Sequence, residues 1–377
     1  MSSSRSKRNQ PGWAKPMRLL LRLMLMGIGL GVVTGSALRL LAPQVQKGQL
    51  SLPSWVVMPN SGPAPKPLGT SSSRRNDRSA NQPWGNNLGR FETKREVTTL
   101  SQRWRDLAAQ QADLKVSAFM LVLDDGRYAE LGADTALPAA SSIKTPILLA
   151  ALERLDAGDL HWNEPLTMTK PLVGGGAGWM ANKPVGTRFP TYEVATEMIR
   201  ISDNTATNLM IERAGGKQAV NIRFNTLGLS ATKINNWLPD LKGTNTTSAR
   251  DLARAIALVD TGEVLSTRSR DLFREVMSTS RTNRLLPGGL LKGLGGEQGE
   301  PDSSLMLKGY RVYNKTGDIG IAYADAGLIE LPDGSRAVAA FLVKGPFNDP
   351  RSTELIRDMA AAMAPVLKAK PAPPRGQ

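Results

Sequence analysis

The sequence predicts an α+β fold, in which an antiparallel β-sheet is flanked by helices. Strand-like runs lie near both ends of the folded part of the chain, and a long helix-rich stretch separates them. Two turn signals, Asp125-Gly126 and Pro332-Asp333-Gly334, accompany these runs, as expected for hairpins. Strands that pair through short turns, with helices grouped between them in sequence, indicate one sheet covered by helices.

The predicted elements follow in chain order. They are a helix over Thr98–Leu114, a strand over Val116–Leu123, three strands over Tyr310–Lys315, Ala322–Leu331 and Ala337–Val343, and a closing helix over Ser352–Leu367. The helix-rich middle lies between the first strand and the last three, so the sheet must be assembled from residues far apart in sequence.

Composition divides the chain into predicted segments. They are a basic cytoplasmic tail (1–18), a membrane anchor or signal peptide (19–41), a disordered linker rich in Pro, Ser and Arg (42–95), a folded body (96–367) and a disordered tail (368–377). The linker and the last tail have too little apolar surface to form a packed core.

The apolar run Leu23–Leu38 lies between Arg22 and Arg39. It is short for a bilayer span, which needs roughly 20 residues, but Arg22 can snorkel and lengthen it. The basic flank before it predicts that the N-terminus stays in the cytoplasm and that the body is exported. A cleavable signal peptide is the rival interpretation, because small residues precede Ala37. We favour an uncleaved single-pass anchor, with the body outside the cytoplasmic membrane or secreted if cleavage occurs.

The net charge of +15 could suggest a nucleic-acid partner, but its distribution argues against one. Residues 1–95 hold 15 of the 48 Lys and Arg residues against two acids, whereas residues 96–367 hold 30 Lys and Arg against 31 Asp and Glu. The folded body is therefore nearly neutral, and we predict no nucleic-acid binding.

Residue types that are rare in the chain exclude several kinds of site. There is no cysteine, so disulfides and a cysteine nucleophile are excluded, and His161 is the sole histidine. A multi-histidine metal site is thereby excluded, and a Ser-His-Asp hydrolase is disfavoured because no G-x-S-x-G occurs either. No P-loop is present, and nothing in the sequence requires a metal or an organic cofactor.

The strongest local motif is S-x-x-K at Ser141–Lys144, followed by the apolar run Ile147–Leu152. A serine and a lysine three apart on a helix share a face, and a serine at the helix N-terminus lies where the helix dipole favours negative charge. The same dipole would lower the pKa of Lys144, so that its neutral amine can take the serine proton. A plain helix cap is the alternative for Ser141.

Two further motifs follow, and each has an ordinary explanation by itself. Ser202-Asp203-Asn204 precedes a helical pattern, where such residues serve as caps, and Lys315-Thr316-Gly317 ends a strand-like run. Their order and their placement at a helix start, a loop before a helix and a strand end are together typical of a reactive site. The set S-x-x-K, S-D-N and K-T-G resembles the class A β-lactamases and penicillin-binding proteins over about residues 96–366.

This resemblance implies a β-lactamase/transpeptidase-like fold, with an all-helical subdomain beside the sheet, and no cofactor. It also implies that Ser141 attacks the carbonyl, that Lys144 is the base, and that Ser202 relays a proton to the leaving nitrogen. Asn204 would hold the substrate amide, and Lys315 would steady Ser202 electrostatically.

The resemblance places further binding groups at the end of the same strand. Lys315 and Thr316 would bind the substrate carboxylate, with Gly317 beside them, and the backbone N–H groups of Ser141 and Asp318 would form the oxyanion hole. Trp179, in the glycine-rich stretch 174–180, would line the cleft, with simple packing as the alternative.

One departure from the class A pattern bears on the outcome of the reaction. Class A enzymes carry a glutamate that activates the deacylating water, in a Trp-Glu-Pro-like run, and Leu238 stands at that position in Trp237-Leu238-Pro239. A leucine cannot accept a proton, and loss of a general base typically costs a factor of about 10²–10⁴. Asp240, two positions away, is the alternative candidate for a substitute base.

A class A-like body without this glutamate resembles the penicillin-binding protein A type of D,D-peptidase. The leading prediction is a membrane-tethered, monomeric serine D,D-carboxypeptidase whose partner is a peptidoglycan stem peptide or a β-lactam. A class A-like β-lactamase with another deacylation route is the first alternative. A non-catalytic wall-binding or sensor module is the second, disfavoured because all three motifs are intact.

Overall fold

The structure is a computed structural model that describes residues 91–296 and 300–368. The predictions for the basic tail, the membrane segment and nearly all of the linker lie outside the described residues, as does the tail beyond residue 368. In the part of the chain that is described, no helix combines the length and the apolar character needed to cross a bilayer.

The described residues form ten strands and eleven α-helices. The strands are β1 (Arg95–Glu96), β2 (Lys115–Val122), β3 (Arg127–Leu131), β4 (Leu137–Pro138), β5 (Pro165–Thr167), β6 (Arg188–Pro190), β7 (Thr246–Thr247), β8 (Arg311–Asp318), β9 (Ala322–Glu330) and β10 (Arg336–Lys344). The α-helices are α1 (Thr98–Ala109), α2 (Lys144–Asp156), α3 (Thr191–Arg200), α4 (Asn204–Arg213), α5 (Gly216–Thr226), α6 (Ala249–Thr261), α7 (Thr267–Ser278), α8 (Leu286–Gly293), α9 (Pro301–Leu307), α10 (Pro350–Ala362) and α11 (Ala364–Lys368).

Six strands form the main sheet, in the order β1-β3-β2-β10-β9-β8. All neighbours pair antiparallel except β1, which adds two residues in parallel beside β3. The predicted antiparallel sheet and both predicted hairpin turns are confirmed. Strand β8, which carries the K-T-G motif, lies at one edge, so its outer side is not covered by another strand of this sheet.

The two faces of the sheet pack against different helices, because successive side chains of a strand point to opposite sides. In β10, Phe341 packs with α1, α8 and α10, whereas its neighbour Leu342 packs with α6. Trp104 of α1 lies edge-on to Phe341, with ring centroids 5.5 Å apart, and its ring N–H donates to the Met359 carbonyl at 2.9 Å. This buried indole fixes the N-terminal helix to α10 behind the sheet.

A separate apolar core holds the helices inserted between the first and last strands of the sheet. It is formed by α2, α3, α4, α5 and α7, through residues that include Ile147, Met198, Met210, Phe224 and Phe273. The predicted all-helical subdomain is therefore present, and α2 and α4 bring the first two motifs to its border with the sheet.

Three predicted helices differ from the structure at their ends, and one of them, the closing helix Ser352–Leu367, is divided into α10 (Pro350–Ala362) and α11 (Ala364–Lys368). The first helix ends at Ala109 rather than Leu114, because hydrogen-bonded turns over residues 108–114 fold Leu114 back into the core. Helix α2 begins at Lys144, and Ser141 lies in the preceding 3₁₀ turn Ala140–Ile143.

Candidate active site

The turn that carries Ser141 is held in a constrained geometry. Ala140 has φ 46°, in the left-handed region that a residue with a side chain rarely adopts. The backbone N–H of Lys144 donates to the carbonyl of Ser141, so the serine and the lysine belong to one continuous helical unit. Ser141 is partly exposed, whereas Lys144 is fully buried. Strain of this kind persists only where the surroundings impose it, as they often do at functional sites.

Lys144 joins the first motif to the second. Its Nζ donates to the Ser202 carbonyl at 2.6 Å, to Ser202 Oγ at 3.0 Å and to Asn204 Oδ1 at 3.0 Å. Three acceptors satisfy the three donors of an ammonium group, which lets the lysine remain buried. The structure thus brings together three of the residues that the sequence predicted as site members.

The pKa of Lys144 is lowered well below its usual range. The main cause is burial, which disfavours the charged form, and the second is the positive charge of Lys315, while Asp203 acts in the opposite direction. The direction agrees with the expectation from sequence, but the cause is desolvation rather than the helix dipole. The shift moves the lysine toward the neutral amine, which is the form that can accept a proton.

The S-D-N loop is fixed by Asp203. Its carboxylate caps α4 by accepting from the Ala206 N–H at 2.9 Å, and its Oδ2 also accepts from the N–H groups of Trp179 and Met180 at 2.7 and 2.9 Å. The plain capping interpretation is correct for this residue. A Cβ on Gly178 would lie 2.0 Å from the same oxygen, so only glycine fits there.

Asn204 is held by the glycine-rich loop on one side and by Lys144 on the other. Its Nδ2 donates to the Gly175 carbonyl at 2.8 Å, and its backbone N–H donates to the Ala177 carbonyl at 3.1 Å. These contacts determine which end of the side-chain amide faces the lysine and which faces the loop.

Trp179 belongs to the packing of the helical subdomain. Its ring N–H donates to Glu197 Oε2 at 2.9 Å, and the ring lies edge-on to Phe189 with centroids 5.8 Å apart. Its backbone N–H is the part that contacts the S-D-N loop. These contacts favour the packing interpretation of the side chain over a direct part in the cleft.

The end of β8 lies directly against the serine turn. A Cβ placed on Gly317 would be 2.8 Å from the backbone nitrogens of both Ser141 and Ser142, so the contact requires a glycine. Asp318 is the next residue and the last of β8. The Asp318 carboxylate accepts a hydrogen bond from the Gly320 N–H at 2.8 Å.

Lys315 and Thr316 are fixed by backbone acceptors. Lys315 is fully buried, and its Nζ donates to the Thr316 carbonyl at 2.8 Å, while Thr316 Oγ1 donates to the Thr282 carbonyl at 3.0 Å. Burial lowers the pKa of Lys315 to about 8, and the nearby carboxylate of Asp325 opposes that shift. The lysine can therefore carry a positive charge near neutral pH and lose it in mildly alkaline solution.

Leu238 is buried and rigidly held. Its backbone N–H donates to Asn208 Oδ1 at 2.9 Å, and Asn208 Nδ2 donates to the Leu238 carbonyl at 2.7 Å. A Cβ on Gly174 would lie 2.4 Å from that carbonyl, so the loop of Leu238 packs tightly against the glycine-rich loop.

The Asp240 side chain is hydrogen-bonded within its own loop. Its carboxylate accepts from Thr244 Oγ1 at 2.8 Å and from the Asn245 N–H at 2.5 Å, so both oxygens brace residues 240–245. A general base needs an oxygen directed at the reacting water. The contacts give Asp240 a structural role and do not favour it as a substitute base.

Sequence reasoning missed three residues that shape the site: Thr282, Asn208 and Asp325. Asp325 carried a signal, since it is a carboxylate flanked by two alanines in the interior of strand β9. Asn208 lies inside the S-D-N helix and Thr282 in an irregular segment, and neither position is distinguishable by pattern. Over the described ranges, no group of three or more His, Asp or Glu side chains is arranged to hold a metal ion.

Comparisons with known proteins were consistent with this geometry. A sequence model described as the beta-lactamase enzyme family matches residues 99–367. The β-lactamase of Streptomyces albus G is 30% identical over 169 residues, 42% of this chain and 54% of that protein. The β-lactamase of Bacillus licheniformis is 26% identical over 284 residues, 73% of this chain and 85% of that protein. The chain thus spans about half of the first relative and most of the second.

Solved structures match over the folded body. The structure of PBP-A is 42% identical, with a TM-score of 0.67 over 73% of this chain and 98% of that one. A leucine-to-glutamate variant of PBP-A, solved as an acyl-enzyme complex with penicillin G, matches equally well. A β-lactamase from Sphaerobacter thermophilus is 24% identical, with a TM-score of 0.60 over 71% of this chain and 97% of that one, and shows the shared fold.

Proposed function

This chain belongs to the β-lactamase enzyme family, and we propose that within it the chain is a penicillin-binding serine D,D-peptidase. Its natural substrate would be a peptidoglycan stem peptide ending in D-Ala-D-Ala, cleaved through an acyl-enzyme on Ser141. The predicted membership of the serine penicillin-recognising superfamily is confirmed by the family match and the PBP-A structure. The peptidase activity is the proposal.

Acylation would begin with proton transfer from Ser141. Lys144 suits the role of base because burial and Lys315 lower its pKa, and its Nζ already bonds Ser202 Oγ at 3.0 Å. The serine oxygen would attack the carbonyl carbon, and the proton would pass by way of Lys144 and Ser202 to the leaving nitrogen. The C–N bond then breaks, which releases D-alanine from a peptide or opens the ring of a β-lactam.

The charge that develops on the carbonyl oxygen would face the N–H groups of Ser141 and Asp318. The close contact of Gly317 with the backbone nitrogen of Ser141 supports this pairing, because Asp318 is the residue that follows Gly317. The carboxylate of the substrate would be bound by Thr316 and by the positive charge of Lys315, and Asn204 would hold its amide group. Bound in this way, the acyl group would be aligned along β8.

The observation that carries the choice of peptidase over β-lactamase is Leu238. The resemblance places it where class A enzymes hold the deacylating glutamate, and it is buried, apolar and locked by Asn208. No proton acceptor is supplied by this side chain, so a penicillin acyl-enzyme should hydrolyse slowly.

A β-lactamase is the second candidate, and the names of the curated relatives favour it. It requires rapid release of the opened drug by a base other than Leu238. With penicillin, the two candidates share the acylation step and differ in the lifetime of the acyl-enzyme.

One experiment separates them. Penicillin G is added to the full-length protein, and intact mass is followed from seconds to hours, with Ser141→Ala and Ser142→Ala as paired controls. Ser142 suits the control because it is adjacent but buried, with Oγ donating to the Ala139 carbonyl at 2.6 Å. We expect a persistent adduct on the wild type and on Ser142→Ala, and none on Ser141→Ala.

Loss of the adduct within seconds, with free penicilloate accumulating, would make the protein a β-lactamase. A persistent adduct leads to the second assay, release of D-alanine from a D-Ala-D-Ala peptide. Failure of acylation altogether would refute both candidates.

The tether to the cytoplasmic membrane is a separate proposal, supported by the apolar run and its basic flank. Deletion of residues 1–41 tests it. We expect the full chain to stay with membranes after alkaline carbonate extraction and the truncated chain to be released. Release of both would contradict the tether and leave the catalytic proposal untouched.

A further inference from the structure

Asp325 is a buried carboxylate that the proposed mechanism does not use. It lies in the middle of β9 between Ala324 and Ala326, and it is fully buried. A carboxylate in an apolar strand is costly unless hydrogen bonds and an opposite charge compensate for its lost hydration. Its partners therefore indicate what it does.

The partners of Asp325 lie on both sides of Lys315. In the sheet, Asp325 is directly opposite Thr316. Asn314 Nδ2 donates to its two carboxylate oxygens at 2.8 and 3.1 Å, and the Leu286 N–H at the start of α8 donates at 2.9 Å. The carboxylate thus joins β9, the motif strand β8 and the first turn of α8.

The same cluster reaches the hydroxyl of Thr316 through a shared acceptor. The Thr282 carbonyl accepts from Asn314 Nδ2 at 2.7 Å and from Thr316 Oγ1 at 3.0 Å. The direction of the Thr316 hydroxyl and the course of the 282–286 segment are therefore set by groups anchored on Asp325.

Charge connects Asp325 to the reactive lysines. Burial raises the pKa of Asp325 to about 6, against the hydrogen bonds of Asn314 and Leu286 and the positive charge of Lys315. In turn, the Asp325 carboxylate raises the pKa of Lys315, which burial lowers to about 8. Between these two values the carboxylate and the ammonium coexist. Lys315 lowers the pKa of Lys144, and Asp203 raises it, so the charged groups form the series Asp325, Lys315, Lys144 and Asp203.

We propose that Asp325 is a positioning residue for carboxylate recognition: its ionised side chain holds Asn314 and the 282–286 segment, and thereby fixes Lys315 and Thr316 for a substrate that ends in a carboxylate. The inference rests on the proposed function, because it assigns a task within that same site. It predicts that Asp325 acts selectively on carboxylate-bearing acyl donors.

The test is Asp325→Asn, which keeps the size of the side chain and removes its charge. Acylation of Ser141 is measured with penicillin G and with its methyl ester, which lacks the carboxylate. We expect the variant to lose about 10- to 100-fold in the second-order acylation rate for penicillin G, the scale of a hydrogen-bonding contact to a charged group. The acylation rate for the ester should fall much less, so the ratio of the rates for the free acid and the ester should decrease.

The pH profile provides a second readout. Without the Asp325 charge, the pKa of Lys315 falls further, so acylation by penicillin G should begin to decline at a lower pH than in the wild type. A purely structural residue would lower the rate without moving this alkaline limb.

Asp251→Asn is the matched control. Asp251, in the first turn of α6, is also a buried aspartate whose pKa is raised by burial. Its carboxylate accepts hydrogen bonds from the Ala231 N–H and the Thr232 hydroxyl. We expect it to reduce thermal stability while keeping the acid-to-ester preference and the alkaline limb.

If Asp325→Asn does not fold, Asn314→Ala replaces it, since it removes the main donor to the same carboxylate and should also reduce the acid-to-ester preference. Equal losses on both substrates with an unchanged pH profile would overturn the inference alone. Absence of any penicillin adduct on the wild type would overturn the proposed function with it.

Discussion

Two sides of the candidate active site differ in character. On one side, Lys144 is hydrogen-bonded to Ser202 and Asn204, and Asn204 is bonded in turn to the glycine-rich loop, all within 3.1 Å. On the other, Leu238 has an apolar side chain that packs in the core of the helical subdomain, and its backbone is hydrogen-bonded to Asn208. The first side has what bond formation at a serine requires, and the second offers no base for a water molecule.

Under the proposed function, one scaffold separates formation of an acyl-enzyme from its release. Acylation would then depend on a network in which Lys144 is central, and altering it should affect every acyl donor. Release would depend on what a single loop position presents to water. The two properties should therefore respond to different substitutions.

The largest effect should come from Lys144→Met on the acylating side. Methionine fills the buried space without a charge, so the protein should remain folded, but the serine proton loses its acceptor. We expect acylation by penicillin G to fall on the order of 10⁴-fold, the upper range for loss of a general base. Rapid-quench mass spectrometry measures the rate, and Lys170→Met, an exposed lysine, is the control. A loss below tenfold would exclude Lys144 as the base.

The substitution Leu238→Glu should give the side that lacks a base a group that can activate water. A carboxylate at this position should activate water and accelerate decay of the penicillin adduct by about 10²–10³-fold. Burying the new charge should also lower thermal stability. The decay rate is followed by intact mass, with Leu238→Gln as the isosteric variant that lacks a base. Equal decay in both variants would show that the space created, rather than the base, is responsible.

The pH dependence of acylation sharpens the comparison further. Lys315 keeps its ammonium group below a pKa of about 8 and loses it as pH rises through that value. Binding of a substrate carboxylate should therefore weaken about tenfold per pH unit in more alkaline solution. Acylation rates from pH 6 to 10 test this, and a rate that keeps rising past pH 9 would contradict it. Decay of a preformed adduct serves as the internal comparison, because Lys315 is assigned no part in it.

The smallest effect is expected at Asp240. Both of its oxygens brace residues 240–245, so Asp240→Asn should weaken the loop and leave the decay of the penicillin adduct within about twofold of the wild type. Thermal unfolding and adduct decay are measured together. A large slowing of decay would restore Asp240 as the base and favour the β-lactamase alternative.

Local sequence patterns predicted the parts of the site that lie at element ends. The motifs indicated a helix start, a loop before a helix and a strand end. The structure has Ser141 before α2, Ser202 before α4 and Lys315 near the C-terminal end of β8. The antiparallel sheet followed from the turn signals and strand-like runs.

Contacts between distant segments could not be predicted in the same way. Asn208 supports Leu238, and Thr282 supports Thr316, through hydrogen bonds that depend on how separate elements pack. The lowered pKa of Lys144 was expected, but its cause is burial, which is a property of the whole assembly. Asp240 likewise accepts hydrogen bonds within its own loop, and the orientation of its side chain cannot be predicted from a sequence pattern.

The contact at Gly317 has a genetic consequence. Every single-base change in a glycine codon that yields another amino acid adds a Cβ, which would collide with the nitrogens of Ser141 and Ser142 at 2.8 Å. Both sides of this contact are backbone, so no rotamer change can relieve it. No single-base substitution at this codon can therefore be accommodated without displacing the turn that carries Ser141.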